Sequence, residues 1–185
     1  MRQISLIAAL ILLVSCCQTQ AQRIEVTVPA TAPLHGRLIL VFAKDGSAEP
    51  RMQMEETYTS AQAFGVDADG VAPGQPLVVD AKTFGYPRRS LADLDAGDYQ
   101  VQAVFNVYEQ FHLASGKTVW LPPDKGEGQH WDSKPGNPYN KPAKIHFDPK
   151  SIDTIKLKLD QVIPPIEGTE RDPMVIAQKS PAANG

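Results

Sequence analysis

The residues with the most chemical capacity gather in one stretch, Gly126-Glu127-Gly128-Gln129-His130-Trp131-Asp132. Two glycines let the backbone bend sharply there, and His130 and Trp131 put an imidazole and an indole where exposure is expected. Trp120, Trp131 and Tyr139 each join a large apolar ring to a polar tip, which suits a platform for sugar rings or a partner surface. The competing expectation is that Trp131 folds back to close one end of the fold. His112, His130 and His146, with Asp124, Glu127 or Asp132, could converge on a metal ion, but their spacing matches no short ligand motif. His146, between Ile145 and Phe147, reads as an ordinary outward strand position. The sequence therefore predicts neither a metal nor a cofactor.

The motifs that most often carry catalysis are missing. No serine has glycine two places away on both sides, as the strained nucleophile turn of an α/β-hydrolase requires. The phosphate-cradling Gly-x-x-x-x-Gly-Lys-Ser/Thr run, the dinucleotide Gly-x-Gly-x-x-Gly and the zinc-binding His-Glu-x-x-His are absent as well. Any enzymatic site would have to be assembled by loops, around Asp124 to Tyr139.

The elements that must position these residues read as strands. The chain has 16 prolines and 13 glycines, and segments so often interrupted hold few long helices. Between the breaks lie short runs rich in Val, Ile, Leu, Phe and Tyr. From Tyr99 to Tyr108, Tyr99, Val101, Ala103, Phe105 and Val107 alternate with Gln100, Gln102, Val104 and Asn106, which predicts one buried and one mostly wet face. Ile24, Val26 and Val28 alternate likewise, as do Ile155, Leu157 and Leu159 with Lys156 and Lys158 between them. Leu38 to Ala43 is continuously apolar, as in a central strand. Leu77 to Val79, Thr118 to Leu121 and Lys144 to Phe147 are shorter candidates. The pattern predicts an all-β, immunoglobulin-like β-sandwich of about seven strands. Two long loops, Asp45 to Gly74 and Pro122 to Pro142, complete it. Leu94-Asp95-Ala96-Gly97-Asp98-Tyr99 resembles a tyrosine corner, with Val101 where antibody domains carry cysteine.

Residues 1–21 have the layout of an export signal: Arg2, the apolar run Ile4 to Val14, then Thr19-Gln20-Ala21 before a cut at Gln22. The apolar run is about eleven residues, short of the roughly 20 needed to span a bilayer. Leu13-Val14-Ser15-Cys16 also resembles a bacterial lipobox, so Cys16 is a candidate lipidation site. The expected localisation is periplasmic or lipid-anchored in the bacterial envelope. Both cysteines, Cys16 and Cys17, lie in this segment, so a domain beginning near Gln22 has no disulfide and must rely on its core. Without residues 1–21 the formal charge moves from -3 to -4, too acidic for a nucleic-acid footprint. The organisation expected is a signal (1–21), a β-sandwich (22–163), and a linker and disordered tail (164–185), the tail running from Gly168 to Gly185.

Phe84-Gly85-Tyr86-Pro87, the run Leu94 to Tyr108, Gly126 to Trp131, Pro135-Gly136-Asn137-Pro138-Tyr139 and Lys144-Ile145-His146 together resemble a known region. It is the N-terminal, non-catalytic β-rich domain of exported bacterial esterases whose α/β-hydrolase domain is similar to the esterase D and enterochelin-esterase group. The resemblance spans roughly Gly36 to Ile166. It implies an accessory or binding domain whose partner is an α/β-hydrolase domain or an envelope glycan. The hydrolase domain would follow Pro164-Pro165-Ile166, and this sequence holds about twenty residues beyond that point, so no catalytic residue carries over. The alternatives are a small hydrolase with a loop-built site and a structural envelope lipoprotein.

Overall fold

The computed structural model describes residues 22–166. The expected export segment with Cys16 and the expected tail Gly168–Gly185 lie outside the described residues. The described chain is all-β, with no α-helix and two short 3-10 turns at Pro50–Met52 and Leu91–Asp93. Its strands are β1 (Arg23–Thr27), β2 (Leu34–Ala43), β3 (Gln62–Val71), β4 (Leu77–Val79), β5 (Gly85–Tyr86) and β6 (Gly97–Val107). They continue with β7 (Glu109–His112), β8 (Thr118–Leu121), β9 (Pro138–Tyr139), β10 (Ala143–Phe147), β11 (Thr154–Lys158) and β12 (Gln161–Val162).

The larger sheet runs β12-β9-β6-β2-β3-β5, with β10 also paired to β6, and a smaller sheet runs β11-β1-β4. Alternation fixes which side chains meet between them. Ile24, Val26, Leu77 and Val79 from the small sheet join Leu38, Leu40, Phe42, Phe64, Val101, Ala103, Phe105 and Phe147 from the large one in a single buried cluster. That cluster makes the two sheets a sandwich, and burying each such side chain contributes roughly 1.5–3 kcal/mol. At its centre the Phe42 ring meets Phe64, Tyr99 and Phe147 edge to face, with centroids 5.5–5.9 Å apart. Such pairs exceed the value of their area alone. The small sheet is not purely antiparallel, because β1 pairs with β11 in parallel from Arg23↔Thr154 to Thr27↔Lys158.

β2 is central, as its apolar run predicts. It pairs with β3 on one side and β6 on the other. Leu38, Leu40 and Phe42 face the sandwich core, while Ile39, Val41 and Ala43 face the outer side of the large sheet, where Ala61 and Trp131 pack. Near its start a register shift between Leu34 and His35 breaks the ladder. Gly36 follows, at φ +154, and a Cβ there would lie 2.2 Å from the Asn106 carbonyl oxygen. Only glycine fits that position.

The tyrosine corner is present. Tyr99 Oη donates to the Asp95 carbonyl at 2.8 Å as the chain turns into β6. Desolvation, reinforced by the Asp95 charge and opposed by Arg88, raises the phenol above its ordinary pKa and keeps the hydroxyl a donor.

Three expectations need correction. Asp45 to Gly74 is not one long loop, because Gln62–Val71 forms β3 and pairs with β2 along nearly its whole length. Its core-facing residues, Phe64, Val66 and Ala68, are diluted by Gly65, Asp67, Asp69 and Gly70, so the alternation is faint and the neighbouring strand decides. The strand count of about seven is low, since β3, β5, β7, β9 and β12 add to the predicted set. Third, the second face of β6 is not wet, for the reasons given below.

Replacing Tyr99 by Phe removes only the corner hydrogen bond. The expected cost is about 1 kcal/mol, read as a lower denaturant midpoint with an unchanged slope.

Candidate functional site

The outer side of β6 carries Gln102, Val104 and Asn106, all buried. The cover comes from the chain between Trp131 and Ala143. Asn137, Tyr139, Asn140 and Ala143 run antiparallel along β6, opposite Val107, Val104, Ala103 and Val101 in turn. Pro138 and Pro142 have no N–H to offer a ladder, which is why this stretch reads as loop in the sequence. Two asparagines supply acceptors where the ladder is broken. Asn137 Oδ1 accepts from the Val107 amide at 3.0 Å, and Asn140 Oδ1 from the Ala103 amide at 2.7 Å. The Asn140 amide returns a bond to the Ala103 carbonyl at 3.2 Å.

Gln102, with no exposed surface, has both amide donors and its carbonyl oxygen engaged. Its Nε2 donates to Glu49 Oε2 at 2.9 Å and to the Asn140 carbonyl at 3.0 Å, and its Oε1 accepts from the Arg51 amide at 3.1 Å. Arg51 ties three segments together. Its Nε donates to Glu49 Oε2 at 2.7 Å, its Nη1 donates to the Asp132 carbonyl, and its guanidinium lies 4.8 Å from the centre of the Tyr139 ring. Burial raises the Glu49 carboxyl, but hydrogen bonds from Gln102 and Arg51, with the Arg51 charge, outweigh it and hold the pKa below its ordinary 4.5.

At the far end of β6 the Lys134 side chain is only 2% exposed. Its ammonium donates to Asn106 Oδ1 at 3.0 Å and to the Val107 carbonyl at 2.6 Å. Desolvation pushes its pKa below the usual lysine value, Glu127 and Glu109 opposing and Lys125 assisting. Asn137 Nδ2 donates to the Trp131 carbonyl at 2.9 Å. The Trp131 ring packs on the cluster of Val41, Ala43 and Ala61, so it covers the outer face of the large sheet rather than one end of the sandwich.

The predicted platform residues are only partly brought together. Arg51 links the Trp131 and Tyr139 regions through the Asp132 carbonyl and the Tyr139 ring. Trp120 stacks flat on His35 of β2, with centroids 3.7 Å apart and planes 3° from parallel. His130 is exposed, and its ring has no hydrogen-bond partner among the described residues. Gly126 and Gly128 take φ of +97 and +69, so the expected sharp bends are there. The three histidines considered for a metal are scattered. His112 Nδ1 bonds Thr118 Oγ1 at 3.0 Å and His146 Nδ1 lies 2.6 Å from Asp98 Oδ1, while no group of three potential ligands converges among the described residues. Asp124 Oδ1 and Glu127 Oε2 accept from the Gly126 and Lys125 amides, closing a turn.

An open depression of about 490 Å³ lies at the other end of the large sheet, lined by Lys44, Asp98, Tyr99, Gln100, Lys144, Ile145 and His146. It pairs an imidazole with a carboxylate, and its one hydroxyl, that of Tyr99, is committed to the Asp95 carbonyl. Sequence reasoning missed Arg51, Gln102, Lys134, Asn137, Asn140 and His35. The available signal was a Gln and an Asn alternating with Val104 in a strand apolar enough to be buried on both faces.

Because Glu49 is held below 4.5, its contribution is present above that pH and is lost as the pH falls through the folded value. The stability difference between the wild type and Glu49→Gln should therefore be largest near neutrality and shrink on acidification, as followed by thermal melts across pH 2 to 7.

No protein-family model, no curated protein and no solved structure matches this chain.

Proposed function

We propose that this chain is an exported, non-catalytic accessory module, an immunoglobulin-like sandwich that works beside an α/β-hydrolase domain of the esterase type and presents an envelope glycan or the enzyme at its surface. In this reading Cys16 is the lipid anchor, and the membrane is reached only through it. One observation carries the reading. Glu49, Arg51, Gln102, Lys134, Asn137 and Asn140, the polar residues that a loop-built active site would draw on, bond to one another and to backbone, fixing the 131–143 segment on β6. A rigid outer surface with an exposed His130 and a half-exposed Trp120 is what remains for contact.

The resemblance in sequence adds to this. Its motif residues fall at constrained places: Gly85, where a Cβ would lie 2.5 Å from the Phe64 ring, the Tyr99 corner, and the Asn137–Tyr139 edge.

The purified protein should hydrolyse p-nitrophenyl acetate and butyrate no faster than a heat-denatured control. It should retain envelope glycan or a hydrolase domain on a binding surface, with His130→Ala, which removes an exposed ring, weakening capture at an unchanged melting temperature. Ester turnover abolished by His130→Ala would overturn the reading in favour of a loop-built hydrolase.

A further inference from the structure

The loop between the first 3-10 turn and β3 holds an aromatic ring almost entirely in solvent. Tyr58 is 93% exposed, although a ring of that size ordinarily buries much of its area. The chain on both sides of it is nonetheless tightly bonded. The Ala61 amide donates to the Gln53 carbonyl at 3.0 Å and the Ser60 amide to the Thr57 carbonyl at 3.1 Å. Ser60 Oγ accepts from the Glu55 amide at 3.0 Å, and the Thr57 and Thr59 hydroxyls lie 2.8 Å apart. Gln53 Nε2 fastens the start of the loop to the Asp45 and Ala48 carbonyls. A bonded loop therefore carries Tyr58 outward.

Tyr58 borders an open depression of about 300 Å³, at the lower end of the roughly 300–1,000 Å³ usual for small-ligand sites. Its floor is apolar and fixed, since Phe42, Ala61, Leu94 and Tyr99 are all buried. Another wall comes from the chain between Pro87 and Asp95. Gln62 pins that wall by accepting from the Arg88 amide at 2.6 Å and donating to the Arg88 carbonyl at 3.0 Å, and the Tyr99 hydroxyl pins it at the Asp95 carbonyl. Arg88 Nη2 and Asp95 Oδ2 lie 3.7 Å apart, near enough to pair as charges and too far to hydrogen-bond, so each keeps capacity for a ligand. Lys44 and Asp45 also line the depression, with the Lys44 ammonium 5.7 Å from the centre of the Tyr99 ring. Two cations against two carboxylates leave no net charge. That balance disfavours an ionic ligand and suits one whose neutral groups both donate and accept.

We propose that this depression is a subsite for one neutral sugar ring. Tyr58 offers an aromatic plane to the C–H face of the sugar at little cost in side-chain freedom. One sugar hydroxyl accepts from the Arg88 guanidinium while its neighbour donates to the Asp95 carboxylate. The proposal rests on the glycan arm of the accessory reading, and builds the subsite from residues other than His130 and Trp120.

Titration of the purified protein with the neutral trisaccharide chitotriose, followed through backbone amide shifts by NMR, tests it. Saturable shifts should fall on Ala61, Arg88 and Asp95, with a Kd on the order of 1 mM. Tyr58→Ala, which removes an exposed ring, should weaken binding at least about tenfold at an unchanged melting temperature. Trigalacturonate, of the same length but anionic, should bind at least about tenfold more weakly than chitotriose. Shifts confined to residues 126–132 and lost in His130→Ala would remove the subsite and leave the accessory reading standing. Equal binding by Tyr58→Ala and the wild type, tighter binding of trigalacturonate, or no saturable shift at all would each refute the proposal. Failure of the accessory reading registers separately, as ester turnover by the same preparation.

Discussion

Gln102 and Asn106 project from β6 on the side opposite the sandwich core, and both are buried. A buried amide without partners costs on the order of 1–3 kcal/mol, so each must be matched by a donor or acceptor brought to it. That requirement organises the outer half of the molecule. It draws Glu49 and Arg51 to one end of β6 and Lys134 with Asn137 to the other. Between them, Asn137 and Asn140 take over the edge of the sheet that two prolines could not complete. The 131–143 segment is thus held by hydrogen bonds as specific as those of a strand, although much of it lacks strand conformation.

The same constraint bears on function. An active site needs polar groups free to meet a substrate, whereas here the best-placed ones are satisfied within the chain. Arg51 shows the economy of the arrangement: one guanidinium meets a carboxylate, a backbone carbonyl and an aromatic face from three different segments. In the proposed reading, contact with other molecules falls to the exposed surfaces, the His130 loop and the hairpin that carries Trp120. The register break ahead of Gly36 matters for the latter, because it sets His35 where the indole can stack.

Much of the inner half was legible in the sequence. Period-two alternation located β1, β6 and β11, the unbroken run Leu38 to Ala43 marked the centre of the large sheet, and Asp95 to Tyr99 announced the corner. What failed has a physical cause in each case. β3 was lost because Gly65, Asp67, Asp69 and Gly70 dilute its pattern, and its ladder depends on β2. The wet face assigned to β6 was wrong because alternation shows which residues differ, not what later covers them. Its cover is a segment whose prolines read as loop. Residue type alone suggests a platform of Trp120, Trp131 and Tyr139 but carries no information on where long-range topology sets each ring, Trp120 on His35 and Trp131 on the outer face of β2.

The central claim is that asparagine side chains stand in for a missing strand along β6, and native-state exchange of two amides measures it. Ala103 and Val107 donate to Asn140 and Asn137 side chains. Both amides should exchange as slowly as the Leu40 and Phe42 amides at the centre of β2, opening only with global unfolding. Exchange of either at rates typical of an unprotected sheet edge would contradict the account and leave the 131–143 segment resting on the surface rather than pinned to it.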